Sequence, residues 1–284
     1  MKKFFIAIGI ACCAVGFSTQ DTQAQIIDGA FKRTNIENRK PMALAPIREA
    51  DVMWSKKIWR IIDLREKMNQ VLYFPTINMD GRTNLINLLL QGIENAQLTA
   101  YDARTDDEFK VPMTFPQVKE AFGATTRTRQ VRNLETGEME ERIIVGEIRP
   151  EEVKQFMVKE EWFFDKQTST MNVRIIGICP IQEYYRDEDI NQENVQRRQV
   201  FWIYYPEARD LLATHAVINP NNTAVGMSFD DLLIKRKFNS YIVKESNVYN
   251  NRAISQYLSG RDAMLESRKI EAEIFDYEQD LWEY

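Results

Sequence analysis

A central β-strand is indicated by the stretch Arg198-Gln199-Val200-Phe201-Trp202-Ile203-Tyr204-Tyr205, because from Val200 onward its residues are apolar or aromatic on both faces of an extended chain. Pro180 is expected to end an earlier strand of the same sheet. Short apolar runs bounded by polar turns predict four such strands: Thr128 to Leu134, Met139 to Val145, Glu161 to Asp165 and Met171 to Cys179. The sequence therefore predicts a mostly antiparallel sheet over residues 126–206.

Helices are predicted in the sequence both before and after this sheet. Between Arg48 and Asn69, apolar residues recur at about 100° per residue and form one stripe: Met53, Trp54, Ile58, Ile61, Ile62, Leu64 and Met68. Helix-type spacing, capping residues and stop signals predict five more helices: Asn84 to Leu98, Phe115 to Phe122, Ser228 to Phe238, Asn251 to Leu258, and Arg261 to the terminus. The predicted fold class is α+β, with a single domain over 47–284 that is helical over 48–125, strand-rich over 126–206 and helical over 207–284.

The N-terminal segment has the pattern of an export signal. Lys2 and Lys3 precede a short apolar run, and Thr22-Gln23-Ala24 supplies the small residue that a signal peptidase reads before its cut. We therefore expect residues 1–24 to be a signal peptide. Residues 25–46 lack an apolar period and read as an extended arm, which we expect to become ordered only on contact with a partner.

Composition narrows the possible functions. The chain of 284 residues is 44% apolar and 28% charged, as expected of a folded protein, and its net charge of -5 argues against nucleic acid as a partner. His215 is the only histidine, and Cys179 is the only cysteine after the signal peptide. We expect both to be structural, and we expect no metal and no cofactor. Paired carboxylates remain as an enzymatic route, so a periplasmic hydrolase acting on cell-wall or surface polymers is the alternative function.

Two groups of residues are candidate partner contacts. Trp59 lies outside the stripe of the predicted 48–69 helix, near Val52, and either packs within the domain or faces a partner. The C-terminal helix carries a narrow seam that either packs on its own domain or pairs with another chain: Ala263, Ser267, Ile270, Ile274, Tyr277 and Leu281. The candidate interface residues are Val52, Trp59, Ile270, Ile274, Tyr277 and Leu281.

Two parts of the chain resemble the GldN/PorN family of Bacteroidetes. The first is Asp51-Val52-Met53-Trp54-Ser55-Lys56-Lys57-Ile58-Trp59-Arg60-Ile61-Ile62-Asp63-Leu64-Arg65-Glu66-Lys67-Met68-Asn69. The second comprises Phe229-Asp230-Asp231-Leu232-Leu233, Arg236-Lys237-Phe238-Asn239-Ser240-Tyr241-Ile242-Val243-Lys244-Glu245-Ser246-Asn247 and Asn251-Arg252-Ala253-Ile254, followed by Ile274-Phe275 and Leu281-Trp282-Glu283-Tyr284.

The resemblance implies a function that the composition alone does not. Members of this family are periplasmic components of the type IX secretion system, support gliding motility in gliding species, and are not known as enzymes. The resemblance implies a ring with the GldK/PorK outer-membrane lipoprotein, contact with the periplasmic part of the GldL/GldM (PorM-type) motor, and self-association. It also implies a location in the periplasm, at the inner face of the outer membrane.

Overall fold

The computed structural model describes residues 38–79, 81–105, 107–124, 146–185, 194–218, 222 and 226–280, and the backbone of 127–132 and 139–144. The strands, in chain order, are β1 (Val52–Asp63), β2 (Ala100–Asp102), β3 (Pro112–Met113), β4 (Arg127–Arg132), β5 (Met139–Ile144), β6 (Val153–Asp165), β7 (Thr170–Tyr184), β8 (Gln196–Gln199), β9 (Phe201–Tyr204), β10 (Ala216–Val217), β11 (Met227–Ser228) and β12 (Tyr241–Glu245). The α-helices are α1 (Gln70–Tyr73), α2 (Leu85–Glu94), α3 (Phe115–Ala121), α4 (Tyr205–Ala213), α5 (Phe229–Ile234) and α6 (Gly260–Asp280). Short 3₁₀ turns lie at Glu49–Asp51, Pro150–Glu152 and Ile254–Gln256. None of the described helices is long and apolar enough to cross a membrane.

One large antiparallel sheet organises the described chain. Its strands lie in the order β12-β1-β6-β7-β9-β2-β3, and β8 pairs separately with β7. The two longest strands, β6 and β7, form a hairpin at its centre, and β1 pairs with β6 along almost its whole length. The predicted α+β class is confirmed.

The sheet carries its main core on one face. Alternate strand residues such as Ile62, Phe156 and Ile203 lie in one cluster with the helix residues Leu88 and Leu232. A smaller cluster on the opposite face contains Trp59, Cys179 and Trp202. The strand residues at the centre of the sheet are therefore buried on both sides.

The prediction of a helix over 48–69 is wrong, because Val52 to Asp63 form strand β1. The segment is rich in β-branched and aromatic residues, and it pairs with β6 on one side and with β12 on the other. Arg60 is buried on the same face as Ile58 and Ile62, so a charge interrupts the alternation that would have indicated a strand. Met53 and Met68, which the helical stripe placed in the core, are exposed.

Most of the other predicted elements are confirmed, with shifted limits. The hairpin predicted over 128–145 appears as β4 and β5, and the predicted capping box at Ser228 opens α5. The predicted strand 198–205 is divided at Val200 into β8 and β9, and Tyr205 begins α4. The helix predicted over 251–258 is only one 3₁₀ turn.

Pro180 does not end β7, contrary to prediction. The strand continues to Tyr184, and Pro180 lies between Ile178, the last residue that pairs with β9, and Ile181, the first that pairs with β8. Proline has no N–H to donate, but at this position β7 passes from pairing with β9 to pairing with β8. The loss of one donor therefore disturbs the sheet little.

Candidate interaction surfaces

Trp59 is buried within its own chain, with only 2% of the residue exposed. It lies in β1 directly between Lys159 of β6 and Lys244 of β12. The two ammonium groups lie over the indole ring, 5.3 Å and 4.2 Å from its centroid. This cation–π arrangement gives the indole cover from neighbouring strands. The helix wheel that placed Trp59 on a surface is invalid, because the segment is a strand.

The loop between β2 and β3 closes over these lysines. Lys159 Nζ donates to the Asp107 carbonyl at 2.6 Å, and Lys244 Nζ donates to Asp107 Oδ2 at 3.0 Å. Burial alone would raise the pKa of Asp107, but the hydrogen bond from Lys244 and the charge of Lys159 outweigh it and lower the pKa. Phe109, in the same loop, has a positive φ of 59° and lies against Gly177. A Cβ at Gly177 would lie 2.5 Å from the Phe109 ring, so a larger residue there would force the ring to shift.

The seam of the C-terminal helix packs on its own domain. Ile270 and Ile274 of α6 are buried in a cluster with Ile58 of β1 and with Ile242 of β12. Tyr277 stacks on Trp54, with 4.9 Å between the ring centroids. Of the two alternatives left open for these three α6 residues, the structure shows the packing within the chain.

Two candidate interface residues remain, Val52 and Leu281. Val52 is half-buried at the start of β1, and nothing in its contacts tests whether it meets a partner. Leu281 lies outside the described residues, as does the predicted signal peptide.

A buried ionic network fixes α6 and the α5–β12 connection to the sheet. The Glu160 side chain of β6 is fully buried and accepts hydrogen bonds from Arg236 Nη1 at 2.8 Å and from Trp162 Nε1 at 3.1 Å. Arg60 Nε lies 3.6 Å from Glu160 Oε2, while both terminal nitrogens of Arg60 donate to Glu271 Oε1 of α6 at 3.1 Å. Two arginines therefore share the buried carboxylate, as burial of a charge requires.

Sequence reasoning missed the apolar residues that α6 leaves exposed. Met264, Leu265 and Phe275 are 65%, 51% and 59% exposed, and helical spacing puts all three outside the seam of Ile270 and Ile274. The sequence did carry a signal for two of them, since the spacing of Met264 and Phe275 puts both on one side of a helix. The spacing of apolar residues alone does not show which side of a helix packs on the rest of its domain.

Part of the N-terminal arm lies on the body of the protein. Arg39 forms an ion pair with Asp231 at 2.7 Å. Arg209 donates to the Met42 carbonyl at 2.5 Å, and Arg174 donates to the Ala45 carbonyl at 2.9 Å. The described residues of the arm therefore contact their own chain, while residues 25–37 lie outside the described part; that the arm becomes ordered only on contact with a partner stays a prediction.

The two groups considered for nucleophilic chemistry have structural environments. Cys179 is fully buried, and burial raises the pKa of its thiol, which keeps it protonated. His215 Nδ1 lies 2.9 Å from the Leu211 carbonyl and 3.1 Å from Thr214 Oγ1, at the end of α4. Within the described ranges, no three His, Cys, Asp or Glu side chains are grouped so that they could hold a metal ion.

Comparison with protein families gives a match to the model described as gliding motility associated protein GldN, over residues 47–283. The chain belongs to the GldN family. Comparison with curated proteins gives no match. The two sequence stretches that carry the resemblance to this family form β1 and the α5–β12 region, and β12 pairs directly with β1 from Ile58 to Ile61. In this GldN-family chain, stretches far apart in sequence therefore form one side of the sheet.

Proposed function

We propose that this GldN-family protein is a non-enzymatic structural subunit of the type IX secretion system. It forms a periplasmic ring with a GldK/PorK-type outer-membrane lipoprotein, beneath the outer membrane, and contacts the periplasmic part of the GldL/GldM motor. In a gliding species the same assembly supports motility. The match to the gliding motility associated family over residues 47–283 is the observation that supports this proposal most strongly.

The use of buried charge agrees with a structural role. The buried carboxylates of Glu160 and Asp230 each have an arginine as partner, and Asp230 also accepts from the Tyr205 hydroxyl at 2.7 Å. An enzyme with paired carboxylates needs one group that is free to exchange a proton with substrate. These two carboxylates instead hold neighbouring elements together. The periplasmic hydrolase therefore remains only as the alternative that the co-purification experiment below can reveal.

Co-purification tests the proposal. The chain is expressed with a C-terminal affinity tag in its own cells, the envelope is solubilised with mild detergent, and the eluate is identified by mass spectrometry. We expect an outer-membrane lipoprotein of the GldK/PorK type and the motor protein to be enriched over a strain that carries the same tag on an unrelated exported protein. Recovery of the chain without these partners would contradict the proposal.

A further inference from the structure

Half of strand β7 has an open edge. β6 pairs with β7 along the hairpin, but on the other side β9 reaches only Gly177 and Ile178, and β8 begins at Ile181. Among the described residues, no strand pairs with the outer side of Thr170 to Ile176. An open edge presents unpaired backbone N–H and C=O groups to any extended chain that comes beside it.

A groove lies beside this edge, and the arm forms one of its walls. It has a volume of about 210 Å³ and is lined by Val173 and Ile176 of β7, by Tyr204, and by Leu44 of the arm. We call residues 38–46 the arm segment. Because Arg174 and Arg209 donate to backbone carbonyls of the arm segment, the groove recognises an extended main chain as well as an apolar side chain.

The arm segment is held by few contacts. It has no helix or strand of its own, and Met42 and Leu44 remain 57% and 38% exposed although they lie against the body. Segments with few buried contacts open at little cost in free energy, without unfolding the rest of the domain. The arm segment can therefore leave the groove while the sheet stays intact.

The connection between arm and body lies at the tip of the central hairpin. The 3₁₀ turn Glu49–Asp51 precedes β1, the Lys166 amide donates to the Asp51 carbonyl at 2.9 Å, and Gln167 Nε2 donates to Asp51 Oδ2 at 2.7 Å. The chain thus leaves the body from one end of the hairpin. From that point the nine residues of the arm segment can extend roughly 30 Å.

We propose that the groove beside the open edge of β7 binds the arm segment of a second copy of this chain. The exchange replaces contacts within one chain by the same contacts between two, which makes it a low-cost route to association. The donor surface (the arm) and the acceptor surface (the groove) are different parts of the molecule, so each copy can give its arm segment to one neighbour and receive the arm segment of another or of the same neighbour. The inference rests on the proposed function in one respect: the second copy is a neighbouring subunit of the proposed ring.

Cross-linking between differently sized copies tests the exchange. Leu44→Cys is placed in a copy with a large tag and Ile176→Cys in a copy with a small tag, and both are co-expressed and treated with a short bis-maleimide. Cys179 does not compete, because it is fully buried. Val248→Cys paired with Ile176→Cys is the matched control for random collision, since Val248 is 90% exposed and lies outside the arm and the groove.

We expect the Leu44→Cys and Ile176→Cys pair to give a cross-linked heterodimer at several times the yield of the control pair, and Arg174→Ala to reduce that yield severalfold. A chain carrying both cysteines reports contact within one copy. Intrachain product alone, or no product above the control, would overturn the exchange. Because co-purification of the lipoprotein is measured on the same envelopes, a failed exchange with the lipoprotein retained is distinguished from failure of the proposed function.

Discussion

Replacing Glu160 by glutamine tests whether the buried ionic network holds the C-terminal helix on the sheet. The substitution keeps the size of the side chain but removes the negative charge that Arg60 and Arg236 share, and it turns an NH₂ donor towards one of the two guanidinium groups. The Arg60 side chain is 7% exposed, so water cannot replace the lost partner. Breaking a buried pair by removing one partner costs about 3–5 kcal/mol.

Thermal and urea unfolding measure this effect. For a domain of this size, about 2–4 °C of melting temperature is lost per kcal/mol, so we expect Glu160→Gln to lower the melting temperature by roughly 6–20 °C. Glu273→Gln is the matched control, since the same chemical change is made on the C-terminal helix outside the network, on a side chain that is 53% exposed, and is expected to cost at most about 1 kcal/mol. Equal, small effects of both substitutions would show that the network does not stabilise the fold.

The remaining predictions concern the core, acid stability and the thiol. Trp59→Ala is expected to cost about 3–5 kcal/mol in urea unfolding, more than Trp54→Ala, because Trp59 is buried whereas Trp54 is only half-buried; a smaller loss for Trp59 would contradict its assignment to the core. Burial alone would raise the pKa of Asp63, but hydrogen bonds from Arg65 and Gln155 outweigh it and bring the pKa to about 2. This carboxylate therefore stabilises the fold above its ordinary pKa of 3.8, and the advantage of the wild type over Asp63→Asn is expected to shrink as the pH falls from about 4 towards 2; a constant difference in urea midpoint across that range would exclude the effect. Cys179 is expected to resist iodoacetamide in the native protein and to react fully in guanidinium, as read by mass spectrometry, and rapid native labelling would show that the thiol is accessible.

The elements that could be predicted from sequence carry their signals locally. The helix at Phe229–Ile234 begins with Ser228, whose side chain accepts from the Asp231 amide, and this capping box is readable from two residues three positions apart. The β4–β5 hairpin was likewise readable from two extended runs on either side of a short polar turn.

Strand β1 could not be predicted in this way. The positions of Trp54, Ile58 and Ile61 fit a helical period, and the competing alternation is hidden because the buried face contains a charge at Arg60. That charge is acceptable only because Glu160 and Glu271 lie beside it in the folded chain, and they are 100 or more positions away in sequence. Long-range pairing decided the structure of this segment over its local pattern.

The packing of the C-terminal helix could be predicted only in part, for the same reason. The seam of Ile270 and Ile274 was correctly identified as a surface that needs cover, but only the packed structure shows that β1 and β12 provide it. The edge of β7 had no local signal, since it results from the short reach of β9.

Electron microscopy of the assembly tests the central claim most directly. Complexes are isolated from solubilised envelopes through the tagged chain and imaged, and the composition of the same particles is determined by mass spectrometry. If the chain is a structural subunit of the secretion system, we expect ring-shaped particles that contain it in amounts comparable to the lipoprotein, and no such rings from cells that lack the gene until the chain is supplied again. Intact rings in the deletion strain, or a tagged chain recovered only as single molecules, would contradict the account.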